Sequence, residues 1–171
     1  MNTHYIMNFL PLIGIFAGFV AIGVFIYLSY RDRKVFFENL ISFCNHLLIE
    51  ISFSKNTVAL IIDKYSGSYS KRFKKVLEGY RDLILSKSDI TQDGLDAIMW
   101  DRLKPHEKIT LVTFFYELGR HGAFEEEEKL RNKIETFKGF LETAGTAMKR
   151  EASIYLKLFI IIGIASVILM V

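Results

Sequence analysis

Twenty-five consecutive residues, Ile6 to Tyr30, carry no charged side chain, and neither do the fourteen from Leu158 to Val171. The stretch between them mixes polar and apolar positions, and the apolar ones recur at helical spacing rather than in alternation. A helix rises about 1.5 Å per residue, so about 20 residues cross the hydrocarbon core of a bilayer. The first run is long enough with a little to spare. The second reaches 18 residues when taken back to Ile154, which brings in Lys157. A lysine one turn inside the boundary can carry its ammonium back to the headgroups. The pattern predicts an N-terminal transmembrane helix with its tail over residues 1–30, a helical segment over 31–153 and a C-terminal transmembrane helix over 154–171. The start MNTHYIMN has no basic residue, and the first apolar run exceeds the about 7–15 residues of a signal-peptide core, so an uncleaved span is expected.

Within the middle segment the spacing predicts an all-α bundle. Phe37, Ile41, Cys44, Leu48 and Ile51 follow a 4-3-4-3 rhythm, and Leu130, Ile134, Phe137, Leu141, Ala144 and Met148 follow 4-3-4-3-4. Both are narrow coiled-coil seams. Each adjoins a span, so the first and last helices are expected to lie antiparallel. Shorter helices are expected between them. Asn56 or Thr57 caps one that carries Val58, Ile61, Ile62 and Tyr65, and Ser66-Gly67-Ser68 turns the chain. Phe73, Val76, Leu77, Tyr80 and Ile84 mark the next. After a polar connection, a short helix is expected over Leu95–Leu103. Pro105 then opens another in its first turn, lined by Ile109, Val112, Phe115 and Leu118.

Composition sharpens this. The chain is 51% hydrophobic yet 24% charged, and all 22 basic and 19 acidic residues fall between Arg31 and Lys157. An apolar–polar–apolar chain of this kind is not an ordinary soluble domain or a disordered segment, and the single Cys44 excludes a disulfide scaffold. The net charge of +3 comes from intermixed charges, with no basic stripe for nucleic acid. Arg31, Arg33 and Lys34 follow the first span, and Lys149, Arg150 and Lys157 border the second. Basic flanks stay in the cytoplasm, which predicts a two-span membrane protein with a cytoplasmic middle and both termini across the membrane. Gly14-x-x-x-Gly18 is either a close-packing site between membrane helices or a sign of how common glycine is there.

Candidate chemistry is sparse. Cys44 and His46 face different sides of a helix, and no second pair completes a zinc site. No phosphate loop, G-x-S-x-G or H-E-x-x-H occurs. No catalytic, cofactor-binding or metal-ligating residue is assigned, and no enzyme is expected. The candidates for structure or interaction are the corner Gly119-Arg120-His121-Gly122, where Gly119 and Gly122 suit positive φ and Arg120 is a contact candidate, and the run Glu125, Glu126, Glu127 and Glu128. Acids in a first turn suit the helix dipole, so this run is a solvated helix start, or else it meets a basic partner or a metal.

The stretch FFYELGRHGAFEEEEKLRNKIE leads into a long helix and then YLKLFIIIGIASVILM, and IEISFSKNTVALI stands at the first turn. This order resembles the stage III sporulation protein AB family, itself similar to the cytoplasmic helical domain of type II secretion F proteins. The resemblance covers nearly the whole chain. It implies a secretion F-like helical bundle and a structural platform role in a sporulation channel complex in the mother-cell membrane. The implied partners are other membrane subunits, a cytoplasmic ATPase and the bilayer, with self-association left open. A membrane-anchored adaptor or secretion platform outside sporulation is the second reading.

Overall fold

The computed structural model describes residues 3–53, 57–86, 89–118 and 123–170. The protein is all-α. Its helices are α1 (Thr3–Phe53), α2 (Val58–Tyr65), α3 (Lys71–Leu85), α4 (Gln92–Ile98), α5 (Pro105–Glu117), α6 (Ala123–Ala147) and α7 (Ser153–Met170). A 3-10 turn, Ser66–Ser68, follows α2, and a π turn, Met148–Ala152, joins α6 to α7. Among the described residues there is no strand. The chain divides into two compact units: a terminal helix pair, residues 1–32 with 143–171, and a helical unit, residues 33–142.

The helical unit buries an aromatic core. Phe36, Phe37, Leu40, Phe43, Cys44 and Leu47 of α1 are fully buried. The expected seam is thus shifted and widened: Ile41 and Leu48 are only half-buried, while Phe36, Leu40, Phe43 and Leu47 take the interior. The cause is packing from more than one side. Phe36 meets Phe73 edge-on at 5.2 Å and Trp100 at 5.7 Å, and Phe37 meets Phe140 of α6 at 5.6 Å. A helix enclosed in this way buries a broad stripe at i, i+3, i+4 and i+7 instead of a two-position seam. The contact of Phe37 with Phe140 places the first and last helices side by side within this unit.

Several local expectations match. Thr57 takes the N-cap position of α2, Pro105 opens α5, and Phe73, Val76, Leu77 and Tyr80 form the buried face of α3. Two differ. The short helix is Gln92–Ile98 rather than Leu95–Leu103: Thr91 Oγ1 accepts from Gly94 N–H at 3.1 Å and starts it early, and the extended backbone of Met99, with ψ 153°, ends it. In α5 the interior positions are Glu107, Leu111, Val112, Phe114 and Phe115, and Ile109 is 67% exposed. That helix is turned so that a carboxylate, not an isoleucine, faces inward.

The terminal helix pair is built the other way. Phe16 and Phe19 of α1 pack on Gly163 of α7, Gly23 packs on Leu156 and Phe159, and the Tyr30 hydroxyl donates to Glu151 at 3.0 Å. These contacts run antiparallel. A Cβ added at Gly163 would lie 2.9 Å from Phe16 Cδ2, and one at Gly23 would lie 3.1 Å from Phe159 Cβ, so these two glycines set the close approach. Gly14 and Gly18 do not take part: an added Cβ at either meets open space. The outward side chains are apolar, with Phe25 62% and Ile168 70% exposed. Both helices are long and apolar enough to cross a membrane, which fits a membrane location.

Candidate functional site

The residues singled out around the α5–α6 corner are only partly in view. Gly119, Arg120 and Gly122 lie outside the described residues, as do the side chains of Glu125 and Glu126. Glu127 is engaged along its own helix, accepting from Arg131 Nη2 at 2.8 Å in an i,i+4 pair. Glu128 is exposed. On either side of the corner, α5 and α6 are held to each other. Lys133 pairs with Glu117 at 3.7 Å, and Phe114 meets Phe137 edge-on at 5.3 Å. Leu118, with ψ 123°, has already left the helix.

The structure adds two buried carboxylates that helical spacing alone did not single out. Glu107, at 0% exposure, accepts from Arg33 through both of its oxygens; the Arg33 Nε bond to Oε2 is 3.2 Å. The same Oε2 accepts from Lys104 N–H at 2.9 Å, satisfying a free donor at the start of α5. Arg33 is itself buried, so it is not a free member of the basic flank in which the sequence places it. Pairing is what makes the burial tolerable, since an isolated charge in the interior costs several kcal/mol, on the order of its lost hydration. A weak signal exists at Glu107, an acid in a proline-started first turn, but nothing in the sequence ties it to a residue 74 positions away.

Glu50 is the second, at 2% exposure on the continuation of the α1 stripe through Leu47. One oxygen accepts from Lys64 Nζ at 2.6 Å and from the Tyr65 hydroxyl at 2.9 Å. The bond to Glu50 first, and one to Tyr65 second, raise the Lys64 pKa by favouring the charged ammonium. Beside them His46 stacks on Tyr65, with ring centroids 4.0 Å apart, and its Nδ1 lies 2.6 Å from the Tyr69 hydroxyl. Burial pushes the Tyr69 phenol up to about 12, so it keeps its proton, and which of the two groups donates is set by the His46 tautomer. Ser70 N–H donates to Asn39 Oδ1 at 3.1 Å nearby. Together these bonds tie α1 to α2 and the turn after it. Burial also raises the Cys44 pKa, so that thiol stays protonated and acts as a small core residue.

One open surface feature stands out in the helical unit. A groove of about 590 Å³ between α3 and the α4–α5 connection has Val76, Ile98 and Met99 in its walls and Trp100 at one side. The Arg72 guanidinium lies over the Trp100 ring at 5.9 Å. Gly79 lets Ile98 approach: an added Cβ would sit 3.0 Å from Ile98 Cγ2. Charges of both signs rim it, which suits contact with a protein surface better than capture of a single ion. Among the described residues no cluster of three or more His, Cys, Asp or Glu could hold a metal.

The model of the stage III sporulation protein AB family matches residues 9–171, taking in both apolar helices and the whole helical unit. The chain belongs to the stage III sporulation protein AB family. Membership points to a role in sporulation. It also groups the buried Arg33–Glu107 and Glu50–Lys64 networks, the α3–α4 groove and the glycine contacts of α1 with α7 within one family-matched stretch. No curated protein and no solved structure matches the chain.

Proposed function

We propose that this member of the stage III sporulation protein AB family is a structural platform subunit of a sporulation channel or transport complex. It is anchored in the mother-cell membrane by α1 and α7 and holds its helical unit in the cytoplasm to dock a partner ATPase. The observation that carries the reading is the family match across residues 9–171. The basic flanks at Arg31 and at Lys149–Arg150 favour a cytoplasmic helical unit. The resemblance to type II secretion F platforms supplies the secretion-like role and the ATPase, and the rigid aromatic core fits a scaffold.

Affinity capture of the tagged full chain from detergent-solubilised sporulating cells tests this. Co-recovery of further membrane proteins with a P-loop ATPase supports the platform. An ATPase partner also requires the helical unit to face the cytoplasm. Recovery of the intact chain without any membrane partner, from cells at the stage when the channel assembles, would overturn it.

A further inference from the structure

All six charged residues of the terminal helix pair fall in two short segments, Arg31–Asp32 and Lys149–Lys157. The Tyr30–Glu151 hydrogen bond sets these segments side by side, so they form one collar at the charged end of the pair. Arg31, Lys149, Arg150 and Lys157 are all exposed there, and none of the four makes an ion pair among the described residues. The π turn has a part in this. It carries Lys149, Arg150 and Glu151 outward while Ala147 and Ala152 on either side stay buried. Lys157 lies further along α7, but side chains tilt toward a helix's N-terminus, which in α7 is the collar end. Beyond the collar the outward faces are apolar, with Phe25, Ile161 and Ile168 exposed. A ligand that puts an anionic phosphate against the cations and hydrocarbon against those side chains fits both halves.

We propose that this collar binds the phosphate of anionic phospholipids, with Arg31, Lys149, Arg150 and Lys157 as the contacting groups and the outer faces of α1 and α7 taking the acyl chains. The proposal rests on α1 and α7 spanning the membrane. Attraction of a cation to an anionic leaflet is worth about fivefold in local lipid affinity per Lys or Arg.

The test uses the full chain reconstituted into phosphatidylcholine vesicles containing a minor share of phosphatidylglycerol. The protein is then extracted in mild detergent, and its retained lipid is quantified. Phosphatidylglycerol should be enriched over the bulk. Lys149→Gln with Arg150→Gln should lower the enrichment by about fivefold per cation until the bulk ratio is reached. Lys149→Arg with Arg150→Lys should keep it, as should Lys129→Gln with Lys138→Gln in the helical unit. Far-UV helicity checks folding, and Arg31→Gln with Lys157→Gln is the second variant if the first loses helix. Wild-type protein at the bulk ratio, enrichment indifferent to both collar variants, or displacement of the lipid by inorganic phosphate in solution overturns the lipid site while leaving the spans intact. Failure to incorporate into these vesicles overturns the spans and the site together.

Discussion

In the helical unit the large side chains point inward: Phe36, Phe73, Phe115 and Phe137 are fully enclosed, and the two buried carboxylates among them are held by cations. In the terminal helix pair many large side chains point outward, and where the helices meet, a glycine of one receives bulky side chains of the other: Gly163 against Phe16 and Phe19, Gly23 against Leu156 and Phe159. Water drives the first arrangement, because enclosing apolar surface removes it from solvent. Hydrocarbon gives no such drive, so the second relies on close backbone approach. α1 takes part in both. Its residues up to Asp32 follow one rule and those from Arg33 follow the other.

The largest expected effect probes the inward rule. Glu107→Ala leaves Arg33 buried without its partner and should destabilise the helical unit by about 3–5 kcal/mol, read as a lowered denaturation midpoint of the full chain in detergent. Adding Arg33→Met to that variant should restore much of the loss. If the double variant is no better than the single one, the pair is not what makes that interior tolerable.

Next comes the outward rule. Gly163→Val should cost about 1–3 kcal/mol by forcing Phe16 aside, while Gly14→Val, which enters open space, should cost almost nothing. Thermal midpoints in micelles compare the two. Equal effects would mean that glycine content, not the α1–α7 contact, governs the pair.

The smallest effect is a pH dependence confined to the helical unit. The Tyr69 phenol is raised from 10.0 to about 12, so the folded state holds this proton more tightly than the unfolded chain does. Stability is therefore unaffected below about pH 10 and falls as the pH climbs from about 10 toward about 12. The raised Lys64 contributes in the same direction, its stabilisation being present below 10.5 and lost above its folded value. Tyr69→Phe should flatten part of that fall in a series of midpoints against pH. An unchanged slope would remove Tyr69 from the account.

Where local chemistry dominates, the elements were legible in the sequence. The stripe Phe73, Val76, Leu77 and Tyr80, the opening of α5 at Pro105 and the two apolar runs all emerge from spacing and backbone constraint. Rotation about a helix axis was less legible. Ile109 and Glu107 differ by two positions; the stripe Leu111, Phe114 and Phe115 turns Glu107 inward, and Arg33 is the partner that makes this tolerable. In the same way, Gly14-x-x-x-Gly18 and the pair Gly23 and Gly163 are equally visible as letters. Which of them meets another helix depends on the face that α7 covers. Of the corner candidates, Glu127 acts within α6, while Gly119, Arg120 and Gly122 lie outside the described residues.

The five-residue step from Ala147 to Ala152 also has a bearing on chain length. Each residue in an α-helix turns the axis by about 100°, so a π turn behaves as one extra beat in an otherwise regular count. Deleting a single residue between Met148 and Ala152 would relax the turn to ordinary α geometry. Because the wider turn absorbs that residue, the helix after it would keep its face, and Gly163 would stay against Phe16. Substitutions at the exposed Lys149 and Arg150 leave that count intact. The wide turn therefore carries one residue more than α geometry needs without turning Gly163 off Phe16, so the junction absorbs a change of count that an unbroken α-helix would pass on as a rotation.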